Sequence, residues 1–216
     1  MKICWLGHSA FLIENNSGIK IVTDPFDEYV GYKMSKVFAD VLITSHEHKD
    51  HNNSNAVDGQ RIIISKSGDY EFGDVRIFAF NVFHDDRDGA LRGTTLVTKI
   101  VTDGITLCHM GDIGENFNRA IVDKIGFVDV LFVPVGGVYT IDCATAYDYA
   151  KEINAKCVIP MHYKTDDCVF PIDTAEKFFD FYNSKNIIVI NGNNLLTETV
   201  LTNESNVNVV KFKCHA

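Results

Sequence analysis

The stretch from Val41 to His51, VLITSHEHKDH, constrains this chain more than any other. Val41, Leu42, Ile43 and Thr44 are apolar or β-branched and read as a buried strand. His46, His48, Asp50 and His51 then follow within a few residues. Neutral imidazole and carboxylate are the ligands that zinc and other borderline divalent cations prefer. If the strand runs into a loop and then a helix, His46 and His48 can point into one pocket. Asp50 and His51, a turn later, can face a second position beside it. The bland alternative is a polar turn rich in histidine. Only 8 histidines serve 216 residues, however, and three of them fall in this window. The window is read as a metal site.

A chain of 216 residues can bury one good core, and a second independent domain would be cramped, so 1–216 is read as a single domain. The formal charge of −9 argues against nucleic acid and anionic membrane as partners, because both favour basic surfaces. That charge describes the outside only, and divalent cations bound beside His46 and Asp50 would still give a locally cationic floor, which leaves a small anionic substrate open. Six cysteines lie scattered with no C-x-x-C pair, which fits free thiols in a reducing compartment. No basic-then-apolar leader opens the sequence, and no apolar run nears the roughly 18 residues of a membrane span. A cytoplasmic protein is expected, with its oligomeric state left open.

Along the chain, strands are predicted over 2–6, 10–14, 19–23, 61–65, 75–80, 94–102, 105–110, 128–135, 157–161, 187–190, 195–201 and 207–212. Asp103-Gly104 is a two-residue hairpin turn. Helices are predicted over 115–124, 144–153 and 174–184, while 27–40 and 52–60 read as loops or poor helix. His8 lies in a turn, and Asp24 is a turn-former before Pro25. His84 ends a strand, in a place where the pocket at His46 and His48 wants a third imidazole. The loop after it, DDRDGALRG, is a solvated tip, or it offers Arg87 or Arg92 to a phosphate or carboxylate. Asp112 is either a helix N-cap or a carboxylate whose two oxygens bridge two cations. His109 supports the core beside it. Lys164 is an anion contact or plain surface charge, and His215 is assigned nothing.

The run H46-E-H-K-D50-H51 resembles the His-X-His-X-Asp-His signature of metallo-β-lactamase-fold hydrolases. His84 in NVFHDD, Asp112 in HMGDIG and His162 in IPMHYK match the order in which that family continues. WLGHSAFLIE, VTDPF, PVGGVYTID and IPMHYKT are similar to the branch containing L-ascorbate-6-phosphate lactonase. The resemblance covers essentially the whole chain. It implies an α/β fold, the metallo-β-lactamase-like four-layer αββα sandwich of two mixed sheets with helices outside. Periodicity alone supports only a mixed α/β core.

The same resemblance implies a first metal on His46, His48 and His84, and a second on Asp50, His51 and His162, with Asp112 bridging. It places His8 on the rim of the site and Asp24 as a carboxylate holding a ligating histidine. It also puts Tyr139 or Thr140 near substrate, beside Gly136-Gly137. Such a pair of cations supplies hydroxide near neutral pH, and Asp50 is the group expected to orient it or shuttle its proton. The expected cofactors are two divalent ions, zinc first, with manganese or iron able to use the same residues. The expected activity is hydrolysis of an ester, lactone or phosphoester bond in a small anionic substrate. The alternatives are a mononuclear iron dioxygenase of the same fold and a metal-binding protein without turnover. A nuclease fits an acidic chain of this length poorly.

Overall fold

The structure is a computed structural model that describes residues 1–201 and 207–213. Cys214 and His215 lie outside the described residues. Two sheets face each other. The first runs in the order Asn194–Leu196, Lys2–Gly7, Ala10–Glu14, Lys20–Thr23, Val41–Ile43 and Ile62–Ile64. The second runs Ile187–Asn191, Asn208–Lys213, Cys157–Met161, Val130–Pro134, Ile105–His109, Thr94–Thr102, Val75–Phe83 and Gly68–Phe72. Ile3, Phe11, Ile13, Ile21, Val41 and Ile43 from the first sheet join Ile77, Leu96, Val97, Leu107, Leu131 and Phe132 from the second in one buried cluster. That cluster is the filling of the sandwich, and the α/β class expected from the sequence holds.

Periodicity explains which strands sit where. Lys2–Gly7 alternates exposed or half-buried with buried residues, as a strand with one face on the core does. Val130–Pro134 and Cys157–Met161 are buried at every position. They pair in parallel at the centre of the second sheet, where both faces are covered. Asp103 and Gly104 both take positive φ (54° and 72°), the geometry of a tight hairpin between Thr94–Thr102 and Ile105–His109.

Several elements differ from expectation. The first strand pair and Cys157–Met161 fall where predicted, but Gly68–Phe72 is an additional strand. Its residues alternate half-buried and exposed at a sheet edge, where acidic side chains discourage further pairing. The first helix spans Arg119–Ile125 and is capped by Asn118, whose side chain accepts from the Ala120 N–H. Glu115 is held out of it, because its Oε1 accepts from the Phe83 N–H at 2.9 Å. The second helix, Cys143–Ile153, is capped by Asp142. The helix predicted over 174–184 shrinks to Glu176–Phe179. Its aromatics exceed a single stripe: Phe178 and Phe179 are buried, while Phe181 stacks on Tyr147 at 4.7 Å.

The segment predicted as strand over 195–201 is extended only at Asn194–Leu196 and then forms the 3₁₀ turn Thr197–Thr199. On the outer side of the first sheet, Val22, Ala39, Leu42 and Val57 form their own small cluster. The cover there is the short ladder of Val37–Phe38 with Val57–Asp58. No described helix is long and apolar enough to cross a membrane.

One glycine ties the central strands to the chemistry at their ends. A Cβ on Gly136, just past Val130–Pro134, would sit 2.2 Å from the carbonyl oxygen of His162. Gly136→Ala must therefore push the two strand ends apart, at an expected cost of about 1–3 kcal/mol. Thermal unfolding of the variant should show a Tm several degrees below the parent. An unchanged Tm would contradict this packing.

Candidate metal centre and the cleft above it

His8, Asp24, His46, His84, Asp112 and His162 each lie within a few residues of the C-terminal end of a strand. The two sheets thus deliver their chemistry to one edge, as open α/β sheets commonly do. Left-handed backbone makes some of this delivery possible. His8, Asp24 and His162 have φ of 50°, 42° and 52°. That region costs a non-glycine residue on the order of 1–3 kcal/mol and persists only where its surroundings enforce it.

Asp24 is the support. It is fully buried, and its Oδ1 accepts from the Ser45 backbone N–H at 2.7 Å. Its Oδ2 accepts from Ser45 Oγ at 2.7 Å and lies 2.8 Å from His51 Nδ1. Burial opposes its ionisation, but the charge and hydrogen bond of His51 outweigh that and hold its carboxyl below the usual range. Because Ser45 Oγ gives its proton to Asp24, it can only accept from His46 Nδ1, 2.9 Å away. Both rings therefore carry the proton on Nδ1 and turn Nε2 inward, a tautomer assignment that rests on the hydrogen-bond network.

What those nitrogens meet is Asp112. Its Oδ2 lies 3.0 Å from His51 Nε2 and 3.1 Å from His162 Nε2. The same oxygen is 3.8 Å from His84 Nε2 and 3.9 Å from His46 Nε2. Asp112 owes its place to the turn before it. Its N–H donates to Thr95 Oγ1 at 3.1 Å, and a Cβ on Gly111 (φ 54°) would lie 2.5 Å from that hydroxyl. His109 braces the same turn, with Nε2 3.0 Å from the Ser9 carbonyl and Nδ1 accepting from the Gly111 N–H. Asp112 is thus not a helix cap, since Asn118 fills that role.

Two ligand sets emerge, with a third group, His46, His51 and Asp112, linking them. His46, His48 and His84 form one, and His8, Asp50, His51 and His162 form the other, each with donor atoms within 4.8 Å of one another. The structure brings together all seven residues matched to the signature and adds His8. A lone histidine in a turn gave no local signal beyond its Gly-His-Ser context. It is fully buried, its Nε2 lies 3.5 Å from Asp50 Oδ2, and its ring packs 4.2 Å from that of His162. Neither of its ring nitrogens has a hydrogen-bond partner among the described residues, and neither do His46 Nε2 and Asp112 Oδ1. Buried polar atoms left bare in one place are what a cation's coordination shell would satisfy.

Burial, with His162 nearby, depresses His8 to about 4, and burial with His51 nearby depresses His46 to about 3. Burial also lowers His84. At neutral pH these rings are uncharged, the form that ligates. His51 is the exception: burial is overcome by Asp112 and Asp24, which raise it well above its ordinary value.

Lys164 does not reach this centre. Its ammonium donates to the Cys168 carbonyl and lines a separate groove with Trp5 and Phe212. Tyr139 does reach it, lining a cleft of about 520 Å³ over His48, Asp50, His84 and Asp112. Thr140 lies outside that lining, in a neighbouring hollow.

The family described as a beta-lactamase superfamily domain matches residues 2–162. A UPF0173 metal-dependent hydrolase of Pelotomaculum thermopropionicum is 30% identical over 76% of this chain and 85% of its own. This chain belongs to that family. A UPF0173 metal-dependent hydrolase of Carboxydothermus hydrogenoformans is 29% identical over 76% of this chain and 85% of its own. Among solved structures, a metallo-β-lactamase superfamily protein of Thermotoga maritima, described as a candidate Zn-dependent hydrolase, superposes with TM-score 0.80. It is 36% identical and covers 98% of this chain and 97% of its own. The protein is therefore a metal-dependent hydrolase of the metallo-β-lactamase superfamily.

Within such a UPF0173 protein the Asp24 network has a direct test. Asp24→Asn keeps an acceptor for the Ser45 N–H but sets an amide N–H₂ against His51 Nδ1, which forces the ring proton onto Nε2. The folded far-UV signal should be retained, and divalent-cation affinity in chelator competition should fall about 10- to 100-fold. Affinity equal to the parent would contradict the supporting role of Asp24.

Proposed function

We propose that the protein is a dinuclear hydrolase that cleaves an ester, lactone or phosphoester bond in a small anionic substrate. One observation carries this reading: Asp112 Oδ2 stands within 3.9 Å of imidazoles drawn from both ligand sets. A single carboxylate between two sets of donors suits two cations better than one. His46, His48 and His84 would hold the first ion, and Asp50, His51 and His162 the second, with His8 within reach of the latter and Asp112 shared. Bound there, the pair would supply hydroxide from water near neutral pH and polarise the oxygen of the scissile bond.

The chain's own residues would do the rest. Asp50 accepts the Tyr29 hydroxyl proton at Oδ1, 3.0 Å away, and turns Oδ2 toward His8 and His51, each at 3.5 Å. Burial raises its proton affinity, but the His51 and His8 rings at that distance outweigh it and hold its carboxyl well below the carboxylate range. Asp50 is therefore better suited to orienting a donor at Oδ2 than to storing a proton. Burial and Asp50 raise Tyr29, so its hydroxyl stays protonated at the cleft wall. Phe170 and Tyr139 continue the aromatic wall of the cleft from Tyr29.

Zinc is the proposed metal, supported by the N/O donor set and by the description of the Thermotoga relative; manganese and iron accept the same donors. A lactonase-like substrate is proposed from the resemblance of the flanking motifs to the ascorbate-phosphate lactonase branch. A mononuclear iron dioxygenase would leave the second set without a role, and a non-catalytic protein would leave the open cleft without one. A cytoplasmic location is proposed from the scattered cysteines, which suit a reducing compartment.

The test is to strip the protein with chelator, reconstitute it with zinc or manganese, and assay simple lactones, aryl esters and phosphodiesters. Turnover is expected only after reconstitution. Asp112→Ala should lose one of two ions and lose hydrolysis with it. Full occupancy with normal turnover in that variant would contradict the bridging role.

A further inference from the structure

The cleft above the centre has a wall as ordered as its floor. Tyr29 packs against Phe170 with ring centroids 5.5 Å apart, and Phe170 against Tyr139 at 6.1 Å. The arc ends at Arg92, whose guanidinium carbon lies 5.5 Å over the Tyr139 ring. Arg92 is half-buried and lines the same cleft as Asp112 and His84. Among the described residues its side chain makes no hydrogen bond or ion pair. By contrast, Arg61 lies 3.6 Å from Asp40 and Arg119 bonds Asp123 at 3.0 Å. Arg92 also lines the adjoining hollow with Asp85, Glu115 and Thr140.

Two local devices hold it there. The first is Asp85, nearly fully buried, whose oxygens accept the backbone N–H groups of Arg87, Gly89, Leu91 and Arg92 at 2.8, 2.9, 2.9 and 2.7 Å. The loop is thus wound around one carboxylate, which presents its charge to the main chain instead of neutralising the guanidinium. Asp86 is set against Arg87 at 4.0 Å. The second device is Val138, a β-branched residue at φ 60° that is 60% exposed. Its own burial does not explain that strained conformation. What the turn does achieve is the placement of Tyr139, whose N–H bonds the Gly137 carbonyl at 2.6 Å. Strained backbone on one side and a carboxylate-wound loop on the other bring a ring and a cation together.

In a protein of net charge −9, with Glu47 beside the cleft, a fixed guanidinium at the edge of the metal floor gives an incoming anion a second, directional partner. We propose that Arg92 is the specificity-determining residue. It binds the carboxylate or phosphate of a small substrate whose flat ring lies along Phe170 and Tyr139, with the hydrolysable bond over Asp112. The planar guanidinium matches either oxyanion through two parallel N–H bonds, and the cation–ring contact holds the fork in place. The position of the reacting bond rests on the hydrolytic reading of the centre; the anion subsite does not. The other cation on the lining, Lys49, is exposed and has no ring beneath it among the described residues.

Binding, rather than turnover, tests this. Zinc-reconstituted protein is titrated calorimetrically with benzoate, phenylphosphonate and the neutral benzamide. The parent, Arg92→Lys, Arg92→Gln and Lys49→Gln are compared. Position 92 keeps its backbone N–H in every variant, so the Asp85-centred loop is retained. The parent should prefer both anions to benzamide, and Arg92→Gln should weaken the anions about 10- to 100-fold while leaving benzamide unchanged. Arg92→Lys should fall between, because an ammonium cannot form the paired bonds. Four results would each overturn the proposal: no anion binding to the parent, anion affinities within twofold in Arg92→Gln, an equal loss for benzamide, or the loss appearing in Lys49→Gln. Intact anion selectivity without hydrolysis of any ester would count against the proposed function alone.

Discussion

The carboxylate of Asp24 is the interaction on which the rest of the site depends. A buried charge is tolerated only when its hydrogen bonds are complete, and here Ser45 and His51 complete them. The consequences run outward in one direction. Asp24 takes the Ser45 proton, Ser45 then accepts from His46, and both His46 and His51 turn Nε2 toward Asp112. One acid at the end of Lys20–Thr23 thereby sets the protonation of ligands on the segment after Val41–Ile43. Local geometry, tautomer and metal chemistry are links of a single chain.

The sandwich supplies the frame for that chain. Parallel pairing of Lys20–Thr23 with Val41–Ile43 brings the Asp24 and Ser45 ends side by side. Parallel pairing of Val130–Pro134 with Cys157–Met161 brings Gly136 against the carbonyl of His162. The backbone cost of left-handed His8, Asp24 and His162 falls where the two sheets meet, and the packing of a well-filled core offsets it. Stability stored in the sheets is thus what permits strained side-chain presentation at the edge.

Sequence reasoning reached the parts of this design that are local. His46, His48, Asp50 and His51 announce themselves because a strand and four donors fit in one short window. The Asp103-Gly104 turn and the fully apolar strand at Cys157–Met161 are equally self-contained. Features set by distant neighbours were harder to read. His8 reads locally as a turn residue and reaches the rim of the site only through the family resemblance, because its burial against His162 is created by strands far apart in sequence. Lys164 reads as an anion contact or surface charge, and the structure gives its ammonium to the Cys168 carbonyl instead. The predicted helix after Thr174 ignored that its aromatics have to reach several surfaces at once. Arg92 was legible as a candidate but not separable from Arg87, because only the winding of the loop around Asp85 decides which one faces the cleft.

The central claim is that two cations share Asp112. Crystals of reconstituted protein, measured with X-rays tuned to the absorption edge of the bound metal, test it most directly. Two anomalous peaks are expected, one enclosed by His46, His48 and His84 and the other by Asp50, His51 and His162, with Asp112 between them. A single peak at full occupancy, or two peaks that Asp112 does not touch, would contradict it.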